Sequence, residues 1–340
     1  MTKVVVFPAD TTGCGTLRMI TPAQELIKRG HDVRVVLPQD RGLVLHVTNG
    51  KVTDVDLQAD VVVFQRLTHP LVHQAVAVLR RKGVAVVVDV DDDLSAIHPA
   101  NPAFAAMHPT SPTGNTWDNL RTACREATLV TVSTPALLDV YARHGRGHVL
   151  YNRLPDTYRN VPHIDSDTLG WPASFHSHPD DPQVVGGAVA RLAADGHLFR
   201  MVGDTTGAGR AFGLGADPLG GGVPIEEWPA AVASLGVGIA PLADTRFNRA
   251  KSWLKPLEMC ALGVPWVASP RVEYARLHRE GAGVLAERPR DWYRLVKGLL
   301  GSVSARVEAA EVNRVVAENH WLSDHAWRWW EAWEKAASDR

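Results

Sequence analysis

The feature that most constrains this chain is the repeated alternation of short apolar runs with helix-length segments along most of its length. Runs such as Val4 to Phe7 and Val61 to Phe64 are continuously apolar, which is typical of strands that are covered on both faces. Between such runs lie segments that open with helix-start signals, for example the Thr-Pro pairs at 21–22 and 134–135. This strand–helix–strand order predicts a parallel, doubly wound α/β sheet.

The predicted elements form two series. In the first, we predict further strands at Asp32 to Leu37, Val84 to Val88 and Leu129 to Val132, helices at Thr21 to Arg29, His69 to Lys82, Asn115 to Ala127 and Thr134 to His144, and a hairpin turn at Asn49-Gly50. In the second, we predict strands at His197 to Val202, Val237 to Ala240 and Val264 to Ala268, and helices at Pro182 to Ala194, Ile225 to Leu235 and Asn248 to Leu262.

A proline-rich segment, Asn152 to Pro182, separates the two series and is the predicted linker. The sequence therefore predicts two Rossmann-like doubly wound domains, 1–155 and 156–322, that face a cleft. In such sheets ligands bind at the carboxyl ends of the strands. A Trp-rich helix within 323–340 is expected to close onto the lobes, and its aromatic stripe to serve packing; the alternative is an acceptor or partner surface.

Composition excludes several classes of protein. The chain has 340 residues, of which 45% are hydrophobic and 21% charged, which is typical of a globular protein and not of a disordered, collagenous or disulfide-rich one. The 36 Lys and Arg residues balance 37 Asp and Glu residues, which argues against a general binder of the DNA backbone. Three widely spaced cysteines, no signal-peptide core and no transmembrane segment predict a cytoplasmic protein.

A glycine-containing loop follows the first predicted strand, in the sequence PADTTGCGTLR. Gly13 and Gly15 would let backbone amides approach a ligand, and the following helix would add its positive N-terminal end, with Arg18 in the first turns. The alternative is a tight strand-to-helix turn, in which Asp10 or Thr11 caps the helix.

Four carboxylates, Asp89, Asp91, Asp92 and Asp93, follow the strand that begins at Val84. They could clamp a divalent metal on a diphosphate, or cap the next turn and line an acceptor pocket. No nearby set of side chains completes a cage, so we do not expect a metal. Crowded carboxylates repel one another, which makes Asp92 and Asp93 candidate bases, with His98 as another.

The second series contains the block APLADTRFNRAKSWLKPLEMCALGVPWVAS. Its cations, hydroxyl and carboxylate are expected in and just before the first three turns of a helix. They are Arg246, Arg249, Lys251, Ser252, Lys255 and Glu258. Cations and amides at a helix N-terminus can hold a diphosphate, and a carboxylate farther along can hold ribose hydroxyls. The alternative is a solvated amphipathic face. His176 and His178 form only a weak metal-binding signal.

These motifs together resemble GT-B fold glycosyltransferases, especially the retaining, family-4-like group and its small versions from bacteriophages and actinobacteria. The resemblance covers nearly the whole chain. It is carried by GCGTLRMITPAQELIKRGHDV, VSTPALLDVYARHG with YNRLP, FRMVGD, and KPLEMCALGVPWVAS, the last being the most specific.

The resemblance implies roles for individual residues. Glu258 would bind the ribose of the sugar donor, and Gly13 and Gly15 would approach the donor phosphate and the acceptor. The diphosphate would be held by Lys251, Ser252, Trp253 and Leu254, and the base by the loop at Val223 and Pro224. The first of two glutamates that the family separates by seven residues falls on Ala250, which leaves the sugar and the stereochemistry open.

We therefore expect a glycosyltransferase that uses a nucleotide-diphosphate sugar as donor, without a cofactor or a required metal. The acceptor hydroxyl would belong to a modified DNA base, a protein or a glycan, and the sequence does not indicate an oligomeric state. Lys255 would stabilise the leaving diphosphate. The alternatives are an NAD-dependent oxidoreductase or epimerase, suggested by the spacing of Tyr293 and Lys297, and a non-catalytic nucleotide-sugar-binding protein.

Overall fold

The computed structural model describes residues 1–111 and 116–340, and the chain divides into two compact units. The first unit comprises Met1–Ile97, Ala103–Pro155 and Leu322–Arg340. The second comprises His98–Pro102 and Asp156–Trp321. No helix within 1–111 or 116–340 combines the length and apolar character that a membrane crossing requires.

The first unit is built on a six-stranded parallel sheet and a separate hairpin. Their strands are β1 Val4–Phe7, β2 Val33–Val35, β3 Val44–Thr48, β4 Lys51–Asp56, β5 Val61–Gln65, β6 Ala85–Val90, β7 Leu129–Val132 and β8 Gly147–Val149. The order of the strands in the sheet is β2-β1-β5-β6-β7-β8. The valines of β1 and β5 are fully buried because both faces of the sheet are covered, as their unbroken apolar runs predict. The sequence analysis missed β8, an edge strand of three residues.

The predicted hairpin is confirmed. Strands β3 and β4 pair antiparallel around Asn49 and Gly50, whose φ angles are 51° and 72°. Positive φ at both central residues gives the turn that matches the twist of a hairpin, and Asn-Gly adopts it at low cost.

The first unit's helices confirm the predicted alternation. They are α1 Gly13–Gly15, α2 Thr21–Lys28, α3 Val72–Arg81, α4 Phe104–Met107, α5 Thr116–Glu126 and α6 Pro135–Tyr141, with a π-helical turn at Thr16–Ile20 and a 3₁₀ turn at Leu94–Ala96. The start predicted for α5 at Asn115 lies outside the described residues.

The second unit contains another six-stranded parallel sheet. Its strands are β9 Leu169–Trp171, β10 Phe199–Val202, β11 Leu219–Gly221, β12 Val237–Ala240, β13 Trp266–Ala268 and β14 Val284–Leu285. Their order in the sheet is β11-β10-β9-β12-β13-β14. Strand β9 lies inside the segment that the sequence analysis interpreted as a linker, so that interpretation is wrong for 169–171. Three residues among prolines and polar residues carry little periodic signal, yet Trp171 is 1% exposed.

The helices of the second unit have bounds that differ from the three predicted ones, by the most at Pro182 and within Asn248 to Leu262. They are α7 Ala188–Ala194, α8 Ala208–Phe212, α9 Trp228–Ala233, α10 Arg246–Arg249, α11 Leu254–Ala261, α12 Val272–Arg279, α13 Pro289–Leu300 and α14 Val303–Ala317, with 3₁₀ turns at Asp156–Asn160, Phe175–Ser177, Asp181–Val185 and Glu318–His320. The helix predicted from Pro182 begins only at Ala188, because Gly186 has a φ of 54° and ends the preceding 3₁₀ turn.

The continuous helix predicted from Asn248 to Leu262 is also wrong. It is divided into α10 and α11, and the residues from Ala250 to Trp253 lie outside both. The cause is Pro256, which has no N–H and whose ring would collide with the carbonyl group of Ser252 in a continuous helix. Proline is tolerated in the first turn, so the second helix starts at Leu254.

The chain ends with α15 Leu322–His325 and α16 Trp327–Ser338, which belong to the first unit. Trp329 and Trp333 are 1% and 0% exposed and pack into the same apolar core as β1 and β5, whereas Trp327 is 44% exposed. The stripe formed by Trp329 and Trp333 therefore serves packing within the first unit.

Candidate functional site

The N-terminus of α11 gathers the polar residues of the block that follows β12. Lys251 and Ser252 precede the helix, half-buried, and Lys255 lies in its first turn. The amides of a first turn have no acceptors within the helix, and the helix dipole adds partial positive charge there. Cations, a hydroxyl and a helix N-terminus thus occur together, which is an arrangement suited to a phosphate group.

Lys255 is held by a buried histidine. Its Nζ lies 2.7 Å from Nε2 of His178, and Nδ1 of that ring lies 2.8 Å from Oδ2 of Asp181. Burial and the charge of Lys255 lower the pKa of His178 to about 4, so the imidazole is neutral at ordinary pH.

Asp181 also connects this group to the loop after β12. Its Oδ1 accepts hydrogen bonds from the backbone N–H of Ala243 at 2.9 Å and from Nδ2 of Asn248 at 2.6 Å. The side chain of Asp181 is 1% exposed, and these bonds satisfy a carboxylate that water does not reach. The loop, Asp181 and His178 are therefore one connected hydrogen-bond network.

Glu258 lies one helical turn beyond Lys255 and is 3% exposed. Its Oε1 accepts hydrogen bonds from Oη of Tyr158 at 2.8 Å and from Nε1 of Trp228 at 3.0 Å. Burial raises the pKa of Glu258 to about 7, although both hydrogen bonds and the charge of Lys255 oppose this rise. Oε2 has no hydrogen-bond donor among the described residues, and it is the oxygen that could accept one from a ligand.

Among the other predicted residues of the second unit, Trp253 is 1% exposed, whereas Arg249, Lys251 and Pro224 are more accessible. Arg249 is exposed, and its Nε donates to Oδ1 of Asp244 at 2.8 Å. The Lys251 ammonium lies 4.4 Å from the centre of the Phe247 ring. Pro224, next to Val223, is exposed in the loop that follows β11.

In the first unit, the two glycines of the loop after β1 have different surroundings. A Cβ added to Gly15 would lie 1.8 Å from the backbone oxygen of Asp10, whereas one added to Gly13 would meet nothing within 4 Å. The Gly15 N–H also donates to Oδ1 of Asp10 at 3.0 Å. Gly15 therefore allows a tight turn between β1 and the following helix, and Gly13 leaves open space beside the backbone.

Arg18 does not point to a ligand site. It is 1% exposed, and its Nη2 lies 2.5 Å from Oδ2 of Asp89, which is fully buried. Nη1 donates to the carbonyl oxygen of Leu150 and to Oδ1 of Asn152. The predicted ligand-binding role of Arg18 is corrected to that of an internal counter-ion, because its guanidinium group is occupied inside the unit.

The four carboxylates at 89–93 do not form one cluster. Arg66 binds Asp91 through both of its carboxylate oxygens, at 2.6 and 2.8 Å, and lies 3.6 Å from Asp92. Burial opposes ionisation of Asp91, but the charge of Arg66 outweighs it and lowers the pKa to about 2. Asp93 is 1% exposed and caps the following turn by accepting from the N–H of Ser95 at 3.1 Å. Within 1–111 and 116–340, no group of three or more His, Cys, Asp or Glu side chains could hold a metal ion.

The predicted histidines contact separate carboxylates. His98, which belongs to the second unit, has Nε2 3.5 Å from Oδ1 of Asp180. Nδ1 of His176 contacts Asp204, whereas Nδ1 of His178 contacts Asp181. The pair at 176 and 178 is therefore not a metal site.

The spacing that suggested a nicotinamide enzyme has a structural explanation. Oη of Tyr293 and Nζ of Lys297, both on α13, lie 2.8 Å apart, and both contact Oδ2 of Asp195, which follows α7. Lys297 and Asp195 therefore form an exposed ion pair, and the Tyr293 hydroxyl group is hydrogen-bonded to both.

Sequence reasoning missed Tyr158, Trp228 and Asp181, which hold the central polar side chains of the second unit. Tyr158 is 100 positions away from Glu258 in the sequence, so no local pattern connects them. His178 and Asp181 are three positions apart in the sequence. This spacing indicates a contact between the two side chains only when the conformation of the segment that joins them is known.

No family model matches the chain, and no curated protein matches it. Several solved structures are similar to it over almost their full length. A sucrose-phosphate synthase from Thermosynechococcus elongatus is 11% identical with a TM-score of 0.66, and the match covers 100% of both chains. Anabaena HepE in complex with UDP-glucose is 13% identical with a TM-score of 0.62, covering 98% of this chain and 100% of that one.

A third similar structure is an alpha-glucosyltransferase in complex with UDP and a 13-mer DNA that contains an HMU base. It is 12% identical with a TM-score of 0.61, and the match covers 97% of this chain and 98% of that one. These similarities establish the fold, with two Rossmann-like units that each carry a six-stranded parallel sheet.

Proposed function

We propose that this chain, which has the GT-B fold, transfers a sugar from a nucleoside-diphosphate sugar to an acceptor hydroxyl. The observation that carries the proposal is the combination on one helix, α11, of an N-terminus with Lys255 and a buried carboxylate, Glu258, one turn farther on. A diphosphate and a ribose are adjacent in a nucleotide, and these two groups match them in the same order.

The sugar donor binds to the second unit. The diphosphate lies against the first turn of α11, where Lys255, Lys251 and Ser252 contact its oxygens. The ribose hydroxyls donate to Oε2 of Glu258, whose other oxygen is already occupied by Tyr158 and Trp228. The base lies at Val223 and Pro224. Uracil is the first base to test, because HepE, a protein of the same fold, is in complex with UDP-glucose.

In the reaction, the bond between the sugar carbon and the diphosphate breaks as the acceptor oxygen attacks that carbon. Negative charge grows on the leaving diphosphate, and Lys255 with the helix N-terminus stabilises it. We propose no metal for this step, since these fixed positive groups supply the stabilisation. Arg249, which is paired with Asp244, is a further candidate contact for the diphosphate in the loop before α11.

The acceptor belongs to the first unit in this proposal, near Gly13 and the Gly15 turn. If the enzyme retains configuration, the diphosphate takes the proton of the acceptor hydroxyl. If it inverts configuration, a base is needed, and the candidates are Asp92 and His98. Asp93 is less suitable, because it is buried and accepts a hydrogen bond from Ser95. The acceptor is a modified DNA base, a protein or a glycan. A cytoplasmic location and a bacteriophage origin remain predictions.

The test is a thermal-shift panel of ADP, GDP, CDP, UDP and dTDP with their common sugar conjugates. A ligand that binds only the folded state raises the melting temperature, so at least one nucleoside diphosphate should do so. Excess EDTA should leave that shift unchanged. Slow hydrolysis of the matching nucleotide sugar would distinguish an enzyme from a non-catalytic binding protein. A shift with NAD and with none of the nucleoside diphosphates would overturn the proposal.

A further inference from the structure

We propose that His178 is a positioning residue for the donor diphosphate: its neutral imidazole, locked by Asp181, holds the ammonium group of Lys255 in place without neutralising its charge. This inference rests on the proposed function, because it takes Lys255 as the residue that contacts the diphosphate. It assigns to the sequence His178-x-x-Asp181 a role that is neither metal binding nor packing.

The hydrogen-bond partners determine which nitrogen of His178 carries the proton. Asp181 can only accept, so Nδ1, which lies 2.8 Å from its Oδ2, carries the hydrogen and donates. In a neutral ring Nε2 then presents a lone pair. The ammonium group of Lys255 can only donate, and its Nζ lies 2.7 Å from that lone pair.

The chemical nature of the partner matters because Lys255 has to attract an anion. A carboxylate in the place of His178 would orient the ammonium group equally well, but it would cancel much of the positive charge. The imidazole provides the hydrogen bond without the charge. The carboxylate of the network, Asp181, is one step farther from Lys255, and part of its charge is satisfied by Ala243 and Asn248.

Burial makes this arrangement firm. The side chains of His178 and Asp181 are 7% and 1% exposed, so water cannot easily replace either hydrogen bond. Burial and the positive charges of Lys255 and Lys251 lower the pKa of His178 to about 4, although the carboxylate of Asp181 opposes this shift. The ring therefore remains an acceptor for Lys255 throughout the neutral range of pH.

Three substitutions of His178 separate hydrogen bonding from charge. His178→Gln keeps a neutral acceptor, His178→Ala removes it, and His178→Glu adds a negative charge beside Lys255. His176→Ala is the matched control, since it removes a neighbouring histidine whose partner is Asp204. The ligands are whichever of UDP, ADP, GDP, CDP and dTDP binds the wild-type chain most tightly and its parent nucleoside, and calorimetry measures both dissociation constants.

We expect the dissociation constant of the diphosphate to rise about tenfold in His178→Ala and about thirtyfold in His178→Glu. It should stay within about twofold of wild type in His178→Gln and in the control. The nucleoside, which does not reach Lys255, should bind all four variants like wild type. Asp181→Asn is a second route: its amide can donate to Nδ1 and force the proton onto Nε2, so it should behave like His178→Ala.

Two results would overturn the inference while leaving the proposed function intact. One is equal affinity of the Gln, Ala and Glu variants for the diphosphate. The other is a parallel loss of nucleoside affinity, which would indicate that His178 only supports the fold. If the wild-type chain binds none of the five nucleoside diphosphates, the proposed function itself fails, and this inference fails with it.

Discussion

The substitution Glu258→Gln should stabilise the protein above pH 7 while weakening the binding of its nucleotide. The pKa of Glu258 is raised from 4.5 to about 7 by burial, so between these values the native state holds a proton that the unfolded state has lost. The stability that this proton contributes is complete below pH 4.5 and is lost as the pH rises through 7. At about 1.4 kcal/mol per pH unit, the loss amounts to roughly 3 kcal/mol.

Glutamine avoids this loss because it does not titrate. Its amide oxygen can accept the same hydrogen bonds from Tyr158 and Trp228 that Oε1 accepts in the native protein. The unfolding free energy of Glu258→Gln, relative to wild type, should therefore rise by about 3 kcal/mol between pH 4.5 and pH 8. The nucleotide should bind more weakly, since a neutral amide is a poorer acceptor for ribose hydroxyls than a carboxylate.

The assay is urea unfolding of both proteins, followed by tryptophan fluorescence at several values from pH 4.5 to pH 8. Taking the difference between the two proteins cancels the titration of every other group. Glu308→Gln is the matched control, because Glu308 is exposed on α14, and its difference from wild type should be constant. A constant difference for Glu258→Gln as well would refute the reasoning.

Two further predictions concern the first unit. Gly15→Ala should destabilise the protein by about 2 kcal/mol or more, because its Cβ would lie 1.8 Å from the Asp10 carbonyl oxygen, whereas Gly13→Ala should cost little. Thermal unfolding of both variants tests this prediction, and equal melting temperatures would contradict it. Arg18→Ala should cost about 3 to 5 kcal/mol, because it leaves the buried Asp89 without its counter-ion; a loss below about 1 kcal/mol in urea unfolding would show that Asp89 does not need it.

The alternation of elements could be predicted because buried parallel strands have a strong local signal. The strands that contain Val62 and Val87 are apolar on both faces. The Asn49-Gly50 pair favours the positive φ angles that a tight hairpin turn requires. Strand β9 could not be predicted, because three residues are too few to show the hydrophobic pattern of a strand. Its place in the sheet is determined by pairing with β10 and β12, which are distant in the sequence.

The candidate site was predictable only in part, for a similar reason. Lys255 and Glu258 lie in one short block, and their types suggest a phosphate and a ribose. The break of the helix before Leu254 follows from Pro256, which is a helix-breaking signal within the sequence itself. The partners Tyr158 and His178 are distant in the chain, so only the folded structure shows that they hold these side chains.

The most direct test of the central claim is calorimetric titration of the wild-type chain and of Lys255→Ala and Glu258→Ala with the tightest-binding nucleoside diphosphate. Lys297→Ala serves as the control, since Lys297 is an exposed cation paired with Asp195. We predict saturable binding to wild type and to the control, and no detectable binding to the other two. Unchanged affinity in both Lys255→Ala and Glu258→Ala would contradict the assignment of the nucleotide site to α11.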